Sequence, residues 1–93
     1  MSDPLERIRS AIHEGRYALT EHAFEEMDND KLDVLDLEAA VLTGRMSEIL
    51  TDDPRGTRYV IEGTACDQIT RVAVVSRFAS EEQMLIITVY QLR

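Results

Sequence analysis

The sequence predicts an α+β fold: three N-terminal helices packed on a four-stranded antiparallel sheet. Three observations predict it. The apolar residues recur at helical spacing as far as Gly44 and at strand spacing beyond it. A capping residue opens each of three helical stretches, Asp3, Thr20 and Asp33 in turn. The strand-like runs that follow are joined by loops of roughly three to six residues, as in an antiparallel meander. Helices first and strands after is the order of helices gathered against one sheet.

Each element has its own local grammar. Asp3 caps the helix expected over 4–14, with Pro4 at its first position, Glu6 at its third and Gly15 after its end. Leu5, Ile8, Ala11 and Ile12 line its buried face. Residues 16–19 are read as a short extended link or a brief strand before Thr20. Thr20 caps the helix over 20–30, where Glu21 suits the positive end of the helix dipole. Ala23, Phe24, Met27 and Lys31 follow at helical spacing, and Asp28-Asn29-Asp30 is poor helix material that frays the end. Asp33 caps the third helix, over 33–43, with Asp36 completing an approximate capping box and Leu32 and Leu37 spaced as a hydrophobic staple. Its apolar face is Leu37, Ala40, Val41 and Gly44, and Gly44 is expected to end it in the left-handed conformation. Strands are expected over 46–51, 57–63, 69–78 and 84–92, with Pro54 and Gly56 marking the first turn. Val72 to Val75 and Leu85 to Ile87 are apolar on both parities, which suggests central strands covered on both faces. The first helix or a second copy of the chain is expected over the second face.

Ninety-three residues make a single domain over 1–93, long enough for a modest core without covalent staples. The chain has one cysteine, Cys66, and two histidines, His13 and His22, so neither a disulfide, a metal site nor a cofactor is expected. No apolar run approaches the roughly 20 residues of a membrane span. The start, Met1-Ser2-Asp3-Pro4, lacks the basic and apolar regions of a secretory signal, so a cytoplasmic location is expected. The net charge is −8 and lopsided: residues 1–56 hold 6 Lys/Arg against 14 Asp/Glu, and residues 57–93 hold 4 of each. Phosphate backbones are held by several Lys/Arg contacts, so this balance speaks against DNA and disfavours RNA.

Several short pieces recur in a recognisable order: Tyr17, Leu19-Thr20, His22-Ala23, Met27, Leu32-Asp33, Asp36-Leu37, Gly44 and Ile86-Ile87-Thr88-Val89-Tyr90. In order and spacing they resemble a small bacterial family of unknown function grouped with the RelE-like and BrnT-like toxin folds. The resemblance covers about residues 17–91. It implies a RelE-like arrangement of the sheet and, for members with a basic groove, RNA cleavage. The family pattern runs His-Ala-x-x-Arg-Met; this chain carries Glu26 where the pattern has arginine. Glutamate reverses the sign of any phosphate contact made there.

Candidate site residues follow, each with a plainer alternative. Histidine as a residue type suits proton transfer at physiological pH, which makes His22 a candidate proton shuttle; the alternative is a ring packed at a helix start. Tyr90 shares parity with Thr88, Met84 and Ile86, and is either a group that positions a phosphate or a core tyrosine with its hydroxyl at the rim. Arg58, Arg71 and Arg77 are the best anion-binding candidates, although Arg71 and Arg77 stand about 20 Å apart by strand rise; the alternative is surface pairing with the acidic helices. The run from Glu21 to Glu38 holds eight carboxylates and one lysine, Lys31. It is either a solvated face or a docking surface for a basic partner, with Glu21, Glu25, Glu26, Asp28 and Asp30 at its centre. Cys66 is read as an incidental thiol.

Two functions are compatible with these residues. One is a non-catalytic protein-interaction module, its partner another protein or a second copy. The other is a toxin–antitoxin-type ribonuclease or translation inhibitor, metal-independent, using His22 and Tyr90 against RNA or the ribosome with the three arginines on phosphate.

Overall fold

The structure, a computed structural model, describes residues 3–93; Met1 and Ser2, part of the start read for a secretory signal, lie outside them. Its elements run α1 (Pro4–His13), β1 (Tyr17–Leu19), α2 (Glu21–Asn29), α3 (Val34–Thr43), β2 (Arg45–Leu50), β3 (Arg58–Thr64), β4 (Arg71–Phe78) and β5 (Met84–Gln91). The three expected caps all form. The Asp3 carboxylate accepts the N–H groups of Leu5 and Glu6. The Thr20 hydroxyl accepts the Ala23 N–H at 3.0 Å and donates to the Ile87 carbonyl at 2.9 Å, so the cap also ties α2 to β5. Asp33 and Asp36 exchange hydrogen bonds with each other's backbone N–H groups at 3.0 and 3.1 Å, a complete capping box with Asp in both places.

Two helices close with the paired bonds of a Schellman motif. After α1, Gly15 takes φ +73° while Arg16 N–H returns to Ala11. After α2 the left-handed position is Lys31, at φ +57°, with the Leu32 N–H bonded to the Met27 carbonyl at 2.8 Å. A side chain at that φ is strained, yet this turn sets the angle between α2 and α3.

The sheet corrects the expectation of four antiparallel strands. It has five strands in the order β1-β5-β4-β3-β2, and β1 lies parallel to β5, pairing Tyr17 with Met84 and Leu19 with Ile86. Three residues are too few to show an alternation, and their partner lies at the other end of the chain, so the pairing left no local signal. The remaining strands form the expected antiparallel meander. Strand β4 begins at Arg71 rather than 69. The Asp67 carboxylate holds the N–H groups of Ile69 and Thr70 in a turn, which leaves Ile69 81% exposed in the loop.

A bulge in β5 changes which side chains share a face. Val75 pairs with Thr88 and Ser76 with Ile86, so Ile87 is the extra residue. Met84 and Ile86 point into the core before it and Val89 after it. Thr88 and Tyr90 therefore face away from Met84 and Ile86, against the simple parity reading.

All three helices pack on one side of the sheet. Ile8 and Ile12 of α1, Ala23 and Met27 of α2, and Leu37 and Val41 of α3 join Ile61, Val72, Val74, Met84, Ile86 and Val89 in one core. The first helix thus does not reach the opposite face. On that face Val60 and Ala73 are buried, and Val75 and Leu85, the latter paired with Arg77, are half-buried. Ser76 lies on the core side, fully buried, with its hydroxyl unpartnered.

The tightest packing is between α3 and β3. Gly44 is extended, at φ −86° and ψ −172°, rather than left-handed as expected. Its glycine identity serves close approach: a Cβ would stand 2.5 Å from the carbonyl oxygens of Ala40 and Glu62. A Cβ on Gly63 would stand 2.8 Å from the Ala40 carbonyl carbon and 2.9 Å from the Gly44 Cα. Arg9 of α1 closes the same corner, donating to the Val41 carbonyl at 3.1 Å and to the Gly44 carbonyl.

Two stability outcomes are expected. Gly63→Ala forces backbone apart from backbone and should cost about 3 kcal/mol, read as a lower denaturant midpoint at unchanged m-value. Lys31→Gly relieves the left-handed position and should raise stability by about 1 kcal/mol in the same measurement.

Candidate functional site

Where α2 meets α3 the helical layer carries an open apolar groove of about 500 Å³. Phe24, Met27, Leu32 and Val34 line it, with Glu25, Asp28 and Asp33 at its edges. Local sequence explains the shape. The Schellman turn after α2 packs Leu32 against Met27's end of the helix, and the Asp33 cap restarts the chain at once as α3. Ala23 and Met27 occupy the buried face of α2, so their neighbour Phe24 is turned outward and is 56% exposed. Leu35 likewise lies off the Leu37–Ala40–Val41 stripe and is 63% exposed. These exposed apolar residues were missed in the sequence, where Phe24 was grouped with the apolar spacing of its helix. The signal was present: Leu35 is apolar at a position the α3 stripe does not use.

The acidic candidates do not all behave alike. Glu21, Glu25 and Asp28 are exposed and form no ion pair among the described residues. Glu26 is half-buried and stands 3.8 Å from His22 one turn earlier. Asp30 is occupied within the fold: its carboxylate accepts the Gln91 N–H at 2.8 Å and lies 3.9 Å from Arg93.

On the far side of the sheet a second group assembles. Arg71 and Arg77 share the face of Ala73 and Val75; Arg58 joins them through Val60, which pairs with Val75; Tyr90 joins through its pairing with Ala73. The bulge at Ile87 is what places Tyr90 among them. Two of the arginines already have partners: Arg58 lies 3.5 Å from Asp53 and 3.7 Å from Asp52, and Arg71 lies 3.2 Å from Glu62. These partners lie in the turn before β3 and on β3 itself, not on the acidic helices. His22 is not part of this group. It sits in the helical layer, in the first turn of α2, with its side chain 59% exposed. The structure thus separates His22 from Tyr90.

Other reactive groups are held in structural roles. Among the described residues no cluster of His, Cys, Asp and Glu has the arrangement of a metal site. Cys66 is exposed, but loss of solvent at its sulfur and the Asp36 carboxylate push the thiol up, away from the reactive thiolate. Asp36 is engaged twice, by the Asp33 N–H of its capping box and by the Cys66 N–H at 3.1 Å; these bonds hold its carboxyl below the usual range despite opposing desolvation. Tyr17 donates to Glu38 at 2.7 Å, pinning β1 to α3. Burial, then the bond and charge of Glu38, raise its phenol from 10 to about 12.

This pair sets an alkaline limit. The neutral phenol makes the bond, so its contribution is complete below pH 10 and is lost as pH rises through about 12. An ultraviolet phenolate titration should show one tyrosine ionising near pH 12 in the wild type. Glu38→Gln should lower that midpoint.

Among the described residues no helix is long and apolar enough to cross a membrane. No curated protein and no solved structure matches the sequence. A family model described as a domain of unknown function, DUF4258, matches residues 19–91. That match takes in α2, α3, the meander and the Ile86–Tyr90 motif, and the chain belongs to the DUF4258 family.

Proposed function

We propose that the chain is a non-catalytic protein-interaction module that docks a basic partner protein on the acidic surface of α2. The observation that carries this reading is the state of three carboxylates. Glu21, Glu25 and Asp28 lie exposed on one short helix without an ion pair among the described residues. Carboxylates spaced this closely repel one another in the free protein, and a cationic surface relieves that repulsion and steers the encounter. Their neighbour in the groove, Phe24, supplies apolar area that a partner would remove from water. Self-association through this face would set like charges against each other, so the favoured partner is a different protein. In the RelE-like and BrnT-like relation that the motifs suggest, this chain would be a member that binds rather than cleaves, with Glu26 where the pattern has arginine.

A ribonuclease or translation inhibitor is the second reading, favoured by one observation: the β5 bulge sets Tyr90 on the same sheet face as Arg58, Arg71 and Arg77. It is weakened by the position of His22 and by the acidic partners of Arg58 and Arg71.

Two assays separate the readings. With wild-type protein and a folded Glu21→Lys/Glu25→Lys/Asp28→Lys variant as baits, the wild type should retain a salt-sensitive set of proteins that the variant loses. Equal recovery by both would remove the acidic surface from consideration. In cell-free translation the wild type should leave synthesis unchanged; message cleavage abolished by Tyr90→Phe would establish the ribonuclease instead.

A further inference from the structure

We infer that the α2–α3 groove receives apolar side chains from a basic amphipathic helix of the partner, an inference that rests on the interaction reading and specifies its ligand. Three features of the groove select that occupant. Its floor is apolar, formed by Phe24, Met27, Leu32 and Val34, and at about 500 Å³ it has the size of a side-chain binding cleft. It is open rather than enclosed, which suits a row of anchors on a continuous element more than a small molecule buried on all sides.

The backbone around it excludes an extended peptide. Strand addition needs a free row of N–H and C=O groups. Here the groove lies between two helices, whose backbone groups bond along each helix; the Met27 and Asp28 carbonyls accept from Leu32 and Lys31 and the Asp36 N–H is held by the Asp33 cap, so no strand edge is offered. A helix satisfies its own backbone and can offer side chains alone, at i, i+3 and i+4. Charge then fixes the composition of the helix. Glu25 and Asp28 on one wall and Asp33 on the other flank the apolar floor, so Lys or Arg beside the anchors would meet carboxylates on both sides. The same walls disfavour a second copy of this chain, whose matching surface is equally acidic.

The groove is also held in shape before any partner arrives. The two hydrogen bonds of the Schellman turn fix the end of α2, and the reciprocal Asp33–Asp36 bonds fix the start of α3. A preformed site spares the partner the cost of ordering it.

The test uses the full chain and two fluorescent synthetic peptides of one composition, Leu and Lys only. One places Leu at i, i+3, i+4 and i+7; the other scrambles the order so that no helical stripe remains. Fluorescence anisotropy should show the striped peptide binding at least about tenfold tighter to the wild type. Phe24→Ala, an exposed position whose loss leaves the core intact, should erase that preference while weak binding of both peptides persists. Glu25→Lys/Asp28→Lys should weaken both peptides. If the wild type binds the two equally and charge reversal weakens both, the acidic docking surface stands and the helix-in-groove inference is overturned. A preference that survives Phe24→Ala overturns it as well. Binding of neither peptide removes the inference and the interaction reading together.

Discussion

The approach of α3 to β3 is the constraint on which the rest of this fold depends. Helix and strand backbones come within contact distance at Ala40, Gly44 and Gly63, where no larger residue fits without moving backbone. This brings Leu37 and Val41 down among Ile61, Val72 and Val74 in the core. It also sets the height of the helical layer over the sheet. Arg9 then reaches the carbonyls at the end of α3, so the position of α1 is referred to the same corner. With α3 seated, Tyr17 finds Glu38 and the short first strand is held against the helix above it.

Local chemistry made the helices legible. Asp3, Thr20 and Asp33 are each a side-chain acceptor followed by donors that the first turn leaves unpaired, and that relation is complete within four residues. The meander was legible for the same reason, since alternation and turn residues lie side by side. Features that depend on distant residues were not. The parallel partner of β1 is at the opposite end of the sequence. The reason for Gly44 lies in Glu62 and Ala40, so its chemistry was read as a helix stop when it answers a packing demand.

The site follows the same division. The acidic run was visible as composition and the capping role of Asp36 was legible, but the longer-range uses were not: Asp30 is spent on Gln91, Asp36 also holds Cys66, and Glu26 lies beside His22, which leaves fewer carboxylates facing outward. One inserted residue, Ile87, decides the surroundings of Tyr90, and no period-2 reading can locate an insertion that replaces one apolar residue by another. As a result the molecule has two chemically different surfaces, a helical one rich in unpaired carboxylates and a sheet one that groups arginines with a tyrosine.

The parallel pairing of β1 with β5 bears on how the chain comes to be folded during synthesis. Strand β1 waits for β5, which follows every other element of the sheet in the chain, and the Thr20 anchor of α2 waits with it, because its acceptor is the Ile87 carbonyl. The α3–β4 portion can assemble from neighbouring segments with short loops to close, whereas docking the first strand closes nearly the whole chain into one loop. Until β5 leaves the ribosome, the edge of β4 that it will cover stays open, and α2, which packs on β5, remains tethered without its permanent seat. A growing chain of this topology is therefore exposed to mispairing until β5 has been made, and the docking of β5 ends that exposure in one step.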